Sequence, residues 1–89
     1  MVEAKVIVRN HPGIHARPAA LFVRKAAEFT SEVFVTLGDL SVNGKSIMGV
    51  MMLAAEAGAE IRIRAEGPDE LKAVEALVNL VATKFGEET

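Results

Sequence analysis

The chain has 89 residues, of which 51% are apolar and 25% charged, with a formal net charge of −2 and no cysteine. This composition predicts one folded domain, residues 1–89, and excludes disulfide frameworks and thiolate metal sites. The acidic balance and the few aromatic residues, all of them Phe, argue against nucleic-acid binding. The first residues lack a signal-peptide pattern and no apolar run reaches membrane-spanning length, so we expect a cytoplasmic protein without membrane insertion.

Alternation of apolar and polar residues predicts four β-strands. They comprise residues 2–8, 32–37, 40–42 and 59–66, with a Gly-Asp hairpin turn between the second and the third. In the last segment every second residue is apolar and the others are Glu or Arg. Strands in a sheet that is covered on both faces are instead continuously apolar. The alternation therefore favours a sheet with helices on one face only.

Helical periodicity and helix-start signals predict three helices, over residues 16–29, 46–53 and 68–85. On the first helix, the predicted buried stripe consists of Ala16, Ala19, Ala20, Val23, Ala26 and Ala27. On the last helix, whose first position is Pro68, it consists of Leu71, Val74, Leu77, Val78, Val81 and Phe85. The order strand, helix, strand, strand, short helix, strand, helix predicts an α+β open-faced sandwich.

His15 is the strongest candidate for a reactive residue, because neither a turn nor a helix start calls for histidine. Pro18 has no N–H and suits only a first helical turn, so the first helix begins near Ala16. The imidazole then lies beside unpaired backbone N–H groups, a favourable site for an anion. Gly13 permits a backbone conformation that aims the ring, and Arg17 supplies a planar donor suited to phosphate oxygens. We predict that His15 carries a phosphoryl group, whose charge the helix start and Arg17 partly offset.

A metal site at the two histidines is not expected. His11 and His15 are four residues apart, which is a ligand spacing only on a helix. Pro12 and Gly13 separate them, and no third ligand cluster is visible. We therefore interpret His11 as a loop residue near the site, and predict neither a metal nor a cofactor.

A second candidate feature is an apolar surface for partner proteins. The short second helix is too apolar to bury all its side chains, and Leu21 lies roughly opposite the buried stripe of the first helix. Basic residues (Arg17, Arg24, Lys25 and Lys45) would surround the patch, which favours acidic partners. We call this patch the docking surface and assign to it Ala20, Leu21, Arg24, Ile47, Met48, Met51 and Met52.

Ser46 has two interpretations. Serine is a preferred N-cap, and Ser46 immediately precedes the predicted short helix. It is also a candidate regulatory phosphorylation site, because a phosphate at a helix start is tolerated by the fold but would add negative charge to the docking surface.

Two motifs, GIHARPA at residues 13–19 and KSIMGVM at residues 45–51, make the chain resemble the HPr family. These are the histidine-containing phosphocarrier proteins of the bacterial sugar phosphotransferase system. The resemblance covers essentially the whole chain and implies a four-stranded antiparallel sheet with three helices on one face. It also implies that phosphorylated enzyme I transfers its phosphoryl group to Nδ1 of His15, with Arg17 contacting the phosphate. The A-domain of a sugar-specific enzyme II would then receive it.

The second motif resembles the Gram-positive version. There the resemblance implies that a dedicated ATP-dependent kinase modifies Ser46 and that the modified form binds a transcriptional regulator. One departure concerns Pro12, because family members often have a small polar residue there. Since its partners would supply donor and acceptor sites, we expect a monomeric carrier and not a stand-alone enzyme.

Other functions remain open at this point. A paralogue in a regulatory phosphorelay would use the same chemistry at His15. A non-catalytic docking module would use the patch around Leu21 and Met48 and leave His15 incidental. A small RNA-binding α/β domain is disfavoured by the acidic charge and the absence of Tyr and Trp.

Overall fold

The computed structural model describes residues 1–87, so the last two residues of the predicted 1–89 domain lie outside the described part. The elements are β1 (Val2–Ile7), α1 (Ala16–Ala26), β2 (Glu32–Leu37), β3 (Leu40–Asn43), α2 (Ile47–Met52), β4 (Glu60–Glu66) and α3 (Glu70–Ala82), followed by a short 3₁₀ turn (Lys84–Gly86). All four predicted strands and all three predicted helices are present, in the predicted order.

The four strands form one antiparallel sheet in the order β1-β4-β2-β3. On β4 the predicted alternation is observed, since Ile61, Ile63 and Ala65 are buried and the charged residues between them are not. The helices cover the apolar face, while the other face is solvated. The predicted open-faced α+β sandwich with a four-stranded antiparallel sheet and three helices is thus confirmed.

The core lies between the sheet and the helices. Its largest fully buried apolar side chains include Phe22 from α1, Ile61 and Ile63 from β4, and Leu77 from α3. Removing each such side chain from water contributes roughly 1.5–3 kcal/mol. Because α1 contributes to this core, its first turn is held at a defined place at the edge of the sandwich.

The predicted buried face of α1 was partly wrong. Ala19 and Ala26 are buried as expected, but Ala16 and Ala27 are exposed, and Phe22 is the fully buried large residue. The helix is oriented so that Phe22, its one aromatic residue, faces the core. Burying a large aromatic ring gains more free energy than burying the small methyl group of alanine, so alanine can remain exposed at little cost. It also ends at Ala26 and not near residue 29, since the chain there continues in i→i+3 hydrogen bonds.

The start of α3 also differs from the prediction. Pro68 lies outside the helix, which begins at Glu70 with Asp69 at the N-cap position. The carboxylate of Asp69 does not cap α3 but accepts hydrogen bonds from the N–H groups of Thr30 and Ser31 (3.0 Å each) and from the Ser31 hydroxyl. This contact joins the start of α3 to the segment before β2, and sequence periodicity could not predict it.

Two residues that were predicted to be buried on the last helix differ in their exposure. Leu71 is exposed, whereas Phe85 is buried as expected, although it lies in the 3₁₀ turn beyond the helix. Within residues 1–87, no helix has the length and apolar character needed to cross a membrane.

We predict that Asp69→Asn makes the fold less sensitive to acid. The Ser31 hydroxyl and the Thr30 N–H hold the pKa of Asp69 down, from an ordinary 3.8 to about 2. Because the folded pKa lies below the unfolded one, the carboxylate stabilises the fold above about pH 3.8, and this contribution is lost as the pH falls through about 2. Urea unfolding across this range should show a smaller loss of unfolding free energy in the variant than in the unchanged protein.

Asp39→Asn is the matched control. Asp39 lies exposed in the β2–β3 turn, and its carboxylate makes no hydrogen bond to residues 1–87. This variant should retain the acid sensitivity of the unchanged protein, and equal acid sensitivity in the two variants would contradict the role given to Asp69.

Candidate functional site

The loop before α1 is held by a close backbone contact. Gly13 forms an isolated antiparallel bridge with Glu56, and the N–H of Ile14 donates to the carbonyl of Ala55 at 2.8 Å. Gly13 has a φ of +123°, and a Cβ at this position would lie 2.3 Å from the Ala55 oxygen. Only glycine fits there. The side chain of Ile14 is buried, so the next residue, His15, is held in a fixed position at the start of α1.

Asn10 connects this loop to the segment after α3. Its side chain is fully buried. The Nδ2 group donates to the carbonyl of Gly13 at 2.9 Å and to Oε1 of Glu87 at 3.0 Å, while Oδ1 has no hydrogen-bond partner in residues 1–87. Both neighbouring acceptors face the amide nitrogen, which establishes the orientation of the amide.

His15 is the N-cap residue of α1. Its backbone is extended (φ −95°, ψ −165°), its carbonyl accepts the N–H of Ala19 at 2.9 Å, and its side chain makes no capping hydrogen bond. The N–H groups of Ala16 and Arg17 have no acceptor among residues 1–87, and Pro18 has no N–H. The ring therefore stands at a helix start whose remaining donors are available to an anion.

A carboxylate that the sequence patterns did not single out lies beside the ring. Oε2 of Glu87 is 3.8 Å from Nε2 of His15, and the two side chains are 19% and 42% exposed. The distance is that of an ion pair and is longer than a hydrogen bond. Glu87 comes just after the 3₁₀ turn that follows α3 and is therefore far from His15 in the sequence. A local sequence pattern could not have predicted this contact.

Arg17, the predicted phosphate ligand, is exposed on the first turn of α1. Its guanidinium makes no hydrogen bond or ion pair with residues 1–87. Arg24, further along the same helix, is also exposed and equally uncommitted. By contrast, Lys25 pairs with Glu28 at 3.4 Å, and Nζ of Lys45 donates to the carbonyl of Phe29 at 2.7 Å. Of the four predicted basic residues, Arg17 and Arg24 are therefore the two whose charged groups have no partner within residues 1–87.

The residues assigned to the docking surface lie on two helices, α1 and α2, which contact one another. Met48 and Met52 are 71% and 65% exposed. Ile47 and Met51 are also exposed. Leu21 was expected to be exposed but is half-buried and packs against the core, and Ala20 is also half-buried. The exposed apolar surface is therefore contributed mainly by α2, because this short helix buries little besides Val50.

Ser46 caps α2 as predicted. Its Oγ accepts a hydrogen bond from the N–H of Gly49 at 3.0 Å, and the side chain is half-buried. His11 lies in the same loop as His15 but lines a surface cleft of about 420 Å³ together with Arg9 and Lys84. Among residues 1–87, no group of three or more His, Cys, Asp or Glu side chains is arranged to hold a metal ion.

An open-faced α+β sandwich that exposes an imidazole at a helix start and also carries an exposed apolar surface is typical of small carrier domains. Residues 2–83 match the family described as the PTS HPr component phosphorylation site. The chain therefore belongs to the HPr family, the phosphocarrier proteins of the phosphotransferase system.

Individual relatives agree with this assignment. The phosphocarrier protein HPr of Treponema pallidum is 48% identical over 88 residues, which span 99% of this chain and all of the relative. The crystal structure of HPr-C-His from Thermoanaerobacter tengcongensis covers both chains completely, with a TM-score of 0.95 and 47% identity. A second solved structure is the Bacillus subtilis catabolite repression protein Crh, described as a domain-swapped dimer. It is 49% identical, has a TM-score of 0.77, and the match covers 94% of this chain and 97% of Crh.

Proposed function

We propose that this protein accepts a phosphoryl group from phosphorylated enzyme I on Nδ1 of His15 and passes it to the A-domain of a sugar-specific enzyme II. The observation that carries the proposal is the exposed His15 ring at a helix start in a chain that matches the family's phosphorylation-site description. The lone pair of Nδ1 attacks phosphorus, so the N–P bond forms as the bond from phosphorus to enzyme I breaks. The same exchange with enzyme II then releases the carrier.

The charge that arrives with the phosphoryl group needs compensation. It amounts to about −1.5 to −2 at neutral pH. The unpaired N–H groups of Ala16 and Arg17 are oriented as at any helix start, where anions are stabilised. We propose that the uncommitted guanidinium of Arg17 adds a charge-assisted contact to the phosphoryl oxygens.

The docking surface holds the partners. We propose that enzyme I and the enzyme II A-domain bind successively to Ala20, Leu21, Arg24, Ile47, Met48, Met51 and Met52. Exposed, flexible methionines adapt to different surfaces, which suits a carrier that visits two partners. The free charge of Arg24 favours acidic partner surfaces. On this scheme the carrier works in the cytoplasm as a monomer.

We further propose that Ser46 regulates this docking. A kinase that uses ATP would phosphorylate its hydroxyl, and the modified form would bind a transcriptional regulator. Ser46 immediately precedes the exposed Ile47 and Met48, so a phosphate would place negative charge at the edge of the surface that acidic partners use.

A regulatory role outside sugar uptake is the second candidate, favoured by the likeness to Crh of Bacillus subtilis. Paralogues that act only in regulation often lack the active-site histidine, so the presence of His15 favours the carrier function. A carrier in a different phosphorelay would use the same chemistry, and the two are distinguished by which enzyme I homologue phosphorylates this chain.

We predict that phosphoenolpyruvate and enzyme I add one phosphoryl group to this protein and that mild acid removes it, because the phosphoramidate bond of phosphohistidine is acid-labile. Intact-mass measurement before and after acid treatment checks this. His15→Ala should take up none, while His11→Ala, the other histidine of the loop, should be modified like the unchanged protein. No uptake by the unchanged protein would refute the carrier function.

Arg17→Glu should slow phosphoryl transfer roughly tenfold to a hundredfold, the loss expected when a charge-assisted hydrogen bond worth about 1.5–3 kcal/mol is removed. Its thermal unfolding should change little, since the side chain is exposed and a negative charge is tolerated at a helix start. Rapid-quench kinetics with phosphorylated enzyme I measure the rate. Lys72→Glu, an equal charge change on the exposed part of α3, should leave the transfer rate unchanged. If Arg17→Glu unfolded the protein, Arg17 would have a structural role and not the role of a phosphate contact.

Negative charge on the docking surface should weaken binding to enzyme I. Met48→Glu and Ser46→Asp should each raise the KM for the carrier about tenfold or more, because like charges across an interface are costly. Ser46→Asp should leave the fold stable, since aspartate is as good an N-cap as serine.

The matched control is Leu71→Glu. Leu71 is a 57% exposed apolar residue on α3, outside the docking surface, and its substitution should leave KM unchanged. Equal effects of Met48→Glu and Leu71→Glu would show that net charge, and not this surface, governs docking.

A further inference from the structure

We propose that Glu87 is a positioning residue for His15: its carboxylate keeps the ring proton on Nε2 and so leaves the lone pair of Nδ1 free to attack phosphorus. The proposal rests on the phosphoryl transfer proposed above and adds a residue from the opposite end of the chain. It starts from one juxtaposition, the 3.8 Å between Oε2 of Glu87 and Nε2 of His15.

The two oxygens of this carboxylate have separate partners. Oε1 accepts a hydrogen bond from Nδ2 of Asn10 at 3.0 Å, and the fully buried Asn10 is itself tied to the carbonyl of Gly13. With Oε1 anchored in this way, Oε2 is the oxygen directed to the imidazole. The residue that aims the carboxylate therefore also holds the loop that delivers the ring.

The backbone holds Glu87 from the other side. Lys84, Phe85 and Gly86 have φ values of 60°, 55° and 78°, three consecutive left-handed residues that turn the chain sharply after α3. Non-glycine residues adopt this conformation only when their surroundings impose it. The buried ring of Phe85 provides such a constraint, and the N–H of Glu87 donates to the carbonyl of Lys84 at 2.8 Å.

This arrangement selects one form of the imidazole. A neutral ring carries one proton, and the charge that faces a nitrogen influences whether that nitrogen bears it. A carboxylate only accepts, so it favours the proton on Nε2. Nδ1 makes no hydrogen bond to residues 1–87. No proton has to leave Nδ1 before attack, and the carboxylate then balances the positive charge that the ring gains when the N–P bond forms.

The free protein has this contact in a relaxed form. At 3.8 Å the pair is too long for a hydrogen bond, and the ring is 42% exposed. Contacts that support catalysis are often long in the unbound state and tighten in the complex with the reaction partner. Enzyme I, by covering the exposed ring, would exclude water from the pair and strengthen it.

The test combines Glu87→Gln and Glu87→Ala. In Glu87→Gln the amide oxygen keeps the bond from Asn10, so the NH₂ group faces Nε2 as a donor and favours the opposite tautomer. Glu87→Ala leaves the ring to its intrinsic preference, which modestly favours Nε2–H. Imidazole ¹⁵N chemical shifts should show the largest Nε2–H population in the unchanged protein, a smaller one in Glu87→Ala and the smallest in Glu87→Gln. Phosphoryl transfer from enzyme I should slow about tenfold to a hundredfold in Glu87→Gln, by analogy with the loss found when the partner that orients a metal-ligating histidine is removed.

Glu56→Gln is the matched control. Glu56 is an exposed acidic residue that bridges Gly13 through its backbone, so this variant removes one negative charge beside the same loop without touching the ring. Its tautomer and transfer rate should equal those of the unchanged protein. Unchanged tautomer and rate in both Glu87 variants, with the unchanged protein phosphorylated normally, would overturn the role of Glu87 alone. Failure of the unchanged protein to accept a phosphoryl group would overturn the proposed function.

Discussion

The site depends on the contact between the backbone of Gly13 and the carbonyl of Ala55. No side chain fits between them, so the loop lies flush against the segment that precedes β4. The bond from the Ile14 N–H and the burial of its side chain fix the next position. His15 then begins α1 with its ring outside the helix. The exposed His15 is therefore positioned by Ile14, whose side chain is buried in the core.

Local patterns revealed much of the fold. Strands were predicted well because one solvated face imposes a strict alternation, which is visible over a few residues. The buried face of α1 was misjudged because alanine is compatible with either side, and only the tertiary structure shows that Phe22 takes the core position. The start of α3 was misjudged because Asp69 bonds to Ser31, which is remote along the chain. Sequence periodicity contains no information about such partners.

The same division applies to the site. The positions of His15 and Ser46 as N-caps follow from the residues next to them, so they could be predicted. Glu87 and Asn10 could not, since their contacts join the two ends of the chain. Neither the buried amide nor the carboxylate beside the ring belongs to a short motif. Residues that reach a site from a distant part of the sequence are those that sequence reasoning most easily misses.

The helix α2 has six residues, of which Val50 is the buried one. Its remaining apolar side chains, those of Ile47, Met48, Met51 and Met52, are 40–71% exposed and do not belong to the buried core. Substitutions there should therefore affect folding little, so this surface can change independently of the scaffold. On the proposed scheme, changing these four solvent-facing positions would direct the same histidine to new donors and acceptors, while the sheet beneath stays the same.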